Sequence, residues 1–399
     1  MLKRDKYLIL LNEEKNSNFI KVLTGIRRVG KSTLLNQFKE TCQNDNIIEF
    51  DFNELNQCVY TYETLHDEII KRTIENKTNV VILDEIQEIE NFEKCIISLY
   101  SNKKYKYDIY ITGSNSHMFS AELVTLFTGR TMEYVVFPFS FKEINEYIFQ
   151  NTNAVKQYEY YLMHGGLGAI VDSYLKSDRC YKILENVFNT ILKKDLVDRY
   201  NIRNTDGFEK ITKYVFNHIG RNISASNLEH FLVSNKEIKV TKNTLLKYFD
   251  YLNKTFLTYR INYFDIKGKK ILQTKFKYYA TDLGILTINT NTDETYNLGY
   301  RLENLVLINL LEQQWKVFTS CDKYGNEIDF VIKKNNITKY IQVCDTLNDK
   351  NYERESRSLL KIRDGFEKII LCNFIDLIPK DDGINIVNIK KWLLEESKF

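Results

Sequence analysis

Residues 19–145 alternate between short apolar runs and segments with helical spacing. Phe19-Ile20-Lys21-Val22-Leu23-Thr24 is a β-prone run, and Ser32–Cys42 follows with Leu34, Leu35 and Phe38 on one helical face. Ile47–Phe52 alternates like a strand, and Leu65–Glu75 turns Leu65, Ile69 and Ile70 to one side. Asn79–Gln87 is a continuous apolar run ending in two carboxylates, which fits a parallel strand buried on both faces. Phe92–Tyr100 predicts a helix, Asp108–Asn115 a strand, Ser120–Phe127 a helix, and Met132–Phe137 a fifth strand. Strands alternating with helices predict the α/β class with a doubly wound parallel sheet. Such sheets bind ligands at the carboxyl ends of their strands.

Beyond residue 145 the rhythm changes. Residues 146–205 read as helical, with Tyr158–Met163 before His164-Gly165-Gly166-Leu167-Gly168, and Asn186–Tyr200 after it carrying Leu192, Leu196 and Val197 inward. The glycine cluster has neither a buried strand before it nor a Lys-Ser after it, so it reads as a helix-breaking turn and His164 as structural. In residues 206–290, Phe208–Ile219, a segment capped at Ser224, and Thr241–Leu257 predict three helices; Leu245, Leu246, Phe249 and Leu252 line the last. Leu257–Tyr263 and Lys270–Tyr279 then predict a β-hairpin, and three helices followed by a hairpin is a winged-helix pattern. Residues 291–399 begin with a helix over Tyr300–Gln314 and continue with strands at Trp315–Thr319, Glu327–Lys333 and Ile337–Cys344. The expected division is therefore 1–145, 146–205, 206–290 and 291–399.

Length and composition narrow the class. A chain of 399 residues exceeds one ordinary core and predicts two to three domains. Lys and Arg number 56 against 53 Asp and Glu, which gives no global nucleic-acid signature. Cysteines at 42, 58, 95, 180, 321, 344 and 372 form no C-x-x-C pair, so reduced thiols are expected rather than a disulfide framework or a zinc site. No run reaches membrane-spanning length, and the apolar stretch Tyr7–Leu11 is too short for a signal sequence. A cytoplasmic protein without a membrane partner is the expectation.

The chemistry concentrates in Gly25-Ile26-Arg27-Arg28-Val29-Gly30-Lys31-Ser32-Thr33, a G-x-x-x-x-G-K-S pattern between the first strand and the first helix. Glycines let successive backbone N–H groups turn toward a triphosphate, and the helix N-terminus adds its partial positive charge. Gly25, Arg27, Arg28, Val29, Gly30, Lys31, Ser32 and Thr33 are thus expected to surround the phosphates of a nucleoside triphosphate. Lys31 would reach the β and γ oxygens, and Ser32 would hold Mg²⁺. Asp84 ends a buried strand and is the expected second Mg²⁺ ligand; Glu85 beside it is placed to polarise the attacking water. Ser114 and Asn115 read either as γ-phosphate contacts or as turn residues. Arg130, before the fifth strand, reads either as an arginine finger toward a neighbouring subunit or as a surface ion-pair residue.

These motifs, with Leu83-Asp84-Glu85-Ile86-Gln87, Thr112-Gly113-Ser114-Asn115-Ser116, Gly129-Arg130 and Pro138-Phe139-Ser140-Phe141, resemble a family of bacterial and archaeal P-loop ATPases. That family belongs to the extended AAA+ superfamily and carries a C-terminal region of unknown function. The resemblance implies ATP rather than GTP, and a helical lid packing on the ATPase core. The order of elements after residue 299 resembles the PD-(D/E)xK nuclease-like core, with Glu303, Asp329 and Gln342 in place and Cys344 where the lysine belongs. The missing lysine predicts an inactive lobe. Lys242, Lys247, Lys254, Lys267, Lys269 and Lys270 offer phosphate contacts to DNA, and a protein partner is weighed equally. The expected protein is an ATPase that drives an attached winged-helix and nuclease-like module, with a homo-oligomer as one expected assembly; the rival is a nucleotide-dependent binding switch with little turnover.

Overall fold

The computed structural model describes residues 2–53, 60–116, 127–148, 154–234, 240–290, 298–322, 324–376 and 382–395. The chain forms two compact units, Met1–Val136 with Lys254–Phe256, and Phe137–Asn253 with Leu257–Phe399.

The first unit runs α1 (Asp5–Glu13), β1 (Ile20–Thr24), α2 (Lys31–Lys39), β2 (Asn46–Asp51), α3 (Tyr62–Arg72), β3 (Thr78–Asp84), α4 (Phe92–Tyr100), β4 (Lys106–Gly113) and β5 (Thr131–Val135). Its sheet has the order β2-β3-β4-β1-β5 and every neighbouring pair is parallel. Successive residues of β1 and β3 are buried on both faces, which is why their sequences read as unbroken apolar runs. Val22, Val81, Leu83, Ile109 and Ile111 form the centre of the core with Leu65, Ile69, Ile96 and Leu99 from the helices. Each such side chain contributes roughly 1.5–3 kcal/mol by leaving water. The helix expected over Ser120–Phe127 lies, apart from Phe127, outside the described residues.

One polar pair interrupts this core. The Lys21 ammonium on β1 meets the Asp108 carboxylate on β4, with both side chains wholly buried. Asp108 Oδ2 also accepts from Asn16 N at 3.0 Å and from the Tyr110 hydroxyl at 3.2 Å, while Lys21 Nζ donates to Phe19 O at 2.9 Å. The pair sits near the amino ends of its strands, away from the loop edge of the sheet.

The second unit begins with α5 (Phe141–Ile148), α6 (Ala154–His164), α7 (Ser177–Thr190, running on through wider turns at Ile191–Asp198), α8 (Thr205–Asn217), α9 (Ala225–Ser234) and α10 (Lys242–Lys254). Then come β6 (Thr258–Asp265), β7 (Lys270–Ala280), α11 (Leu283–Asn289), α12 (Leu298–Glu312), β8 (Lys316–Cys321), β9 (Glu327–Lys334), β10 (Ile337–Asn348), α13 (Tyr352–Leu360), β11 (Glu367–Asp376), β12 (Ile384–Asn388) and α14 (Ile389–Leu394). The hairpin expected as a wing is present, but β6 also pairs with β8 at Tyr263–Thr319. It therefore forms one edge of a seven-stranded sheet, β12-β11-β10-β9-β8-β6-β7, that continues into the C-terminal strands. On α10, Leu245, Phe249 and Leu252 are buried as expected, whereas Leu246 is exposed.

The glycine cluster after α6 is a close-packed turn. A Cβ at Gly166 would stand 1.9 Å from Phe139 O, so no other residue fits without moving backbone. Gly166 N donates to the buried Asp282 carboxylate at 2.8 Å, and Asp282 also caps α11 through Gly284 N and Ile285 N. His164 is structural: its ring stacks on Tyr160 and bonds Tyr160 O and Ser177 Oγ.

Removing one member of the Lys21–Asp108 pair leaves a buried charge unanswered. Asp108→Asn is expected to cost about 3–5 kcal/mol, seen as a lower urea midpoint for the first unit. The double change Lys21→Met with Asp108→Leu should cost less than the single one; a single variant as stable as the parent would contradict this.

Candidate nucleotide site

The carboxyl ends of β1, β3 and β4 lie side by side, because β4 is inserted between the other two. The chain leaves β1 at Thr24 and turns at Gly25, whose φ is +144°. A Cβ there would come within 2.5 Å of Val136 O, so Gly25 is required for space as well as conformation. Arg28 is left-handed (φ 65°), and Gly30 (φ 109°) precedes α2, which starts at Lys31. Buried Leu34, Leu35 and Phe38 hold α2 to the core, which aims its amino end into the loop. Val29 is buried, Arg27 and Thr33 are half-buried, and Arg28 and Ser32 are exposed.

Lys31 is 4% exposed. Its ammonium donates to Gly25 O at 3.0 Å and Ile26 O at 3.4 Å, and lies 3.3 Å from Glu85 Oε1. These are the loop's own oxygens and the carboxylate just past the end of β3. Burial pushes the Glu85 carboxyl up, but Lys31, the Gln87 amide and Arg27 outweigh it and hold it below the usual carboxylate range. Glu85 also adopts a left-handed backbone, φ 54° and ψ 44°, uncommon for a residue with a side chain.

Asp84 ends β3 and is buried. The Thr112 hydroxyl donates to Asp84 Oδ1 and accepts from Glu85 N at 2.9 Å, so one β4 residue fixes both acidic residues. The Ser32 hydroxyl lies close enough to Asp84 to lower its pKa. Burial raises the Asp84 pKa above the ordinary carboxylate value, and the hydroxyls of Ser32 and Thr112 offset this only in part. The adjacent hydroxyl and carboxylate are hard oxygen donors, which suits Mg²⁺. Among the described residues no three His, Cys, Asp or Glu side chains converge on a metal position. A Mg²⁺ held by one carboxylate, one hydroxyl, water and phosphate oxygens needs no such triad.

Of the other expected residues, Ser114 and Asn115 are buried just past β4, beside this cluster. Arg130 is not in it. Its carbonyl accepts from Ile20 N at the start of β1, and its guanidinium lies over Tyr100, 5.6 Å from the ring centre. That is the amino end of the sheet, opposite the phosphate loop. Two residues escaped the sequence reading. Thr112 offers no signal beyond a hydroxyl at the end of an apolar run, and Gln87 none beyond its place after Asp84-Glu85.

The second unit holds a different charge cluster. Glu303 on α12 accepts from Lys277 Nζ at 3.0 Å and from the Tyr279 hydroxyl, both on β7. Lys277 also pairs with Glu327 at 2.9 Å, and Asp329 accepts from Val343 N at 2.8 Å. Burial raises the pKa of Glu303 and Asp329, and their carboxylates in turn raise that of Lys277. Gln342 contributes a buried Oε1 without a hydrogen-bond partner among the described residues. Lys277 was not expected here; it is 2% exposed and serves as the internal counterion. Lys242, Lys247, Lys267, Lys269 and Lys270 are exposed and Lys254 half-buried, while Asp265 closes the hairpin turn through Lys267 N and Gly268 N.

Among the described residues no helix is long and apolar enough to cross a membrane, and the described cysteines are free thiols. The AAA domain family matches residues 17–145, and a domain of unknown function matches residues 155–295. An uncharacterized protein of Haemophilus influenzae is 30% identical over 407 residues, covering 99% of each chain. One from Methanocaldococcus jannaschii is 28% identical over 415 residues, covering 94% of this chain and 88% of its own. Among solved structures, a Walker-type ATPase of Pyrococcus abyssi aligns with a TM-score of 0.50 at 15% identity, over 72% of this chain and 96% of that one, a likeness of fold. The phosphate loop, the parallel sheet and these matches agree: the chain belongs to the family of the Haemophilus influenzae protein, and its first unit is a P-loop ATPase domain of the AAA+ class.

Proposed function

We propose that the first unit binds MgATP and hydrolyses it, and that the cycle drives a conformational change in the attached second unit. The observation that carries this reading is the convergence of Lys31, Ser32, Asp84 and Glu85 at one sheet edge, with Lys31 3.3 Å from Glu85. The backbone of Gly25–Gly30 and the start of α2 offer N–H groups to the phosphates, and Lys31 neutralises their charge. Ser32 and Asp84 would hold Mg²⁺, which when bound screens the phosphate oxygens. Glu85, ionised at neutral pH, takes the proton of the attacking water. In this reading Asn115 would contact that water or the γ-phosphate. The division at 145, 205 and 290 into ATPase, lid, winged helix and nuclease-like lobe is part of the same proposal, as is a cytoplasmic setting.

Lys31→Ala is expected to abolish measurable MgATP binding. Glu85→Gln should bind ATP normally while turnover falls about 10²–10⁴-fold. Undiminished turnover in Glu85→Gln would remove Glu85 from its role, and binding with no turnover in the parent protein would favour the switch reading.

Arg130, at the far end of this chain's sheet, can act only on a neighbouring subunit's nucleotide. Mixing Arg130→Ala with Lys31→Ala protein should restore part of the turnover. A mixture as inactive as its components would leave Arg130 to its contact with Tyr100.

The C-terminal strands should not cut nucleic acid, because Lys277 already answers the carboxylates that a metal would need. Incubation with DNA or RNA and Mg²⁺ or Mn²⁺ should leave both intact; cleavage that disappears in Asp329→Ala would contradict this.

A further inference from the structure

Gln87 lies in the single tight turn Ile86–Glu88 that follows β3. Its Nε2 donates to Glu85 Oε2 and reaches Ser114 Oγ at 3.5 Å. The other carboxylate oxygen, Oε1, faces Lys31 at 3.3 Å. Glu85 is therefore gripped from two sides, by an ammonium and by an amide. The two grips have different fates in a nucleotide cycle. Phosphate oxygens compete for Lys31, as any anion in the loop must, and that ammonium cannot hold Glu85 at full strength while it serves them. The amide of Gln87 has no such competitor.

Two further features single out Gln87. Its own Oε1 is buried with no hydrogen-bond partner among the described residues. An unmet buried acceptor costs about 1–3 kcal/mol, a cost retained more readily at a working site than in a core chosen for stability. The Glu85 main chain is separately fixed, by its left-handed φ and by its N–H to Thr112. What remains to be fixed is the direction of the carboxylate, and Gln87 holds it against the end of β4.

We propose that Gln87 is a positioning residue of the hydrolytic site: its amide keeps the Glu85 carboxylate aimed when nucleotide draws Lys31 away, and ties it to Ser114. This rests on the reading that Glu85 promotes hydrolysis. Gln87 touches neither phosphate nor metal in this scheme, so its loss should leave binding alone and slow the chemical step. A misplaced catalytic group costs about 10²-fold for an error near 1 Å.

The test compares the full-length parent with Gln87→Met, which keeps length and shape but removes the donor, and with Gln87→Glu, which sets a like charge against Glu85. Three quantities are measured: affinity for a fluorescent ATP analogue with Mg²⁺, single-turnover ATP hydrolysis, and thermal midpoint. Gln87→Met should keep its affinity within about twofold and its midpoint near the parent's, while the single-turnover rate falls about 10²-fold. Gln87→Glu should lose at least as much. A parental single-turnover rate in Gln87→Met, or a loss of affinity and midpoint in step with that rate, would overturn the proposal and leave Gln87 a structural tie. A parent that binds ATP without hydrolysing it would sink the hydrolytic reading and this inference together, an outcome distinct from failure of the variant alone.

Discussion

A buried ammonium has to be answered, and at Lys31 this requirement organises the site. Withdrawing the charge from water without partners would cost far more than a fold of this size can spare. Two loop carbonyls and the Glu85 carboxylate answer it. Each is also a group that a nucleotide would rearrange. In the proposed reading the phosphates would replace the carbonyls as partners of Lys31 and would loosen its hold on Glu85. The same contact would then couple nucleotide binding to the placement of the acid.

Strand order does the rest. Lys31 follows β1 and Asp84 ends β3, and the sheet places β4 between those strands. Without that interposed strand the phosphate loop and the acidic pair would have no common support. Thr112 supplies it, with one hydroxyl serving both the Asp84 carboxylate and the Glu85 N–H. The buried Lys21–Asp108 pair joins β1 to β4 at the other end of the same strands. The neighbours that bracket the site are therefore fixed at both ends, and the loop edge can carry strain at Glu85 without losing register.

The parts that were legible in the sequence are those set by local pattern. The G-x-x-x-x-G-K-S stretch has steric demands that only glycine meets, and Gly25 meets one of them against Val136 O. Strands buried on both faces leave an apolar run, so β1, β3 and β4 stood out. What depends on which strands are neighbours was hidden. Thr112 reaches both acidic residues, and Gln87 reaches Ser114, only because β4 lies beside β3, and Arg130 is removed from the loop edge because it precedes β5 rather than ending it. Lys277 looked like one more lysine until β7 brought it to Glu303. The hairpin was correctly placed, but its pairing with β8 is a contact across more than fifty residues of chain that spacing does not encode. Residues 283–289 form a short helix whose cap, Asp282, is fixed by distant Gly166, and they too left no periodic trace.

If nucleotide phosphates take Lys31 from Glu85, a crystal structure of the protein with Mg²⁺ and a non-hydrolysable ATP analogue should show Lys31 Nζ on the β- and γ-phosphate oxygens, Ser32 and Asp84 at the metal, and Glu85 no longer paired with the ammonium. A nucleotide bound elsewhere, or a bound triphosphate with the Lys31–Glu85 contact still at its present 3.3 Å, would contradict it.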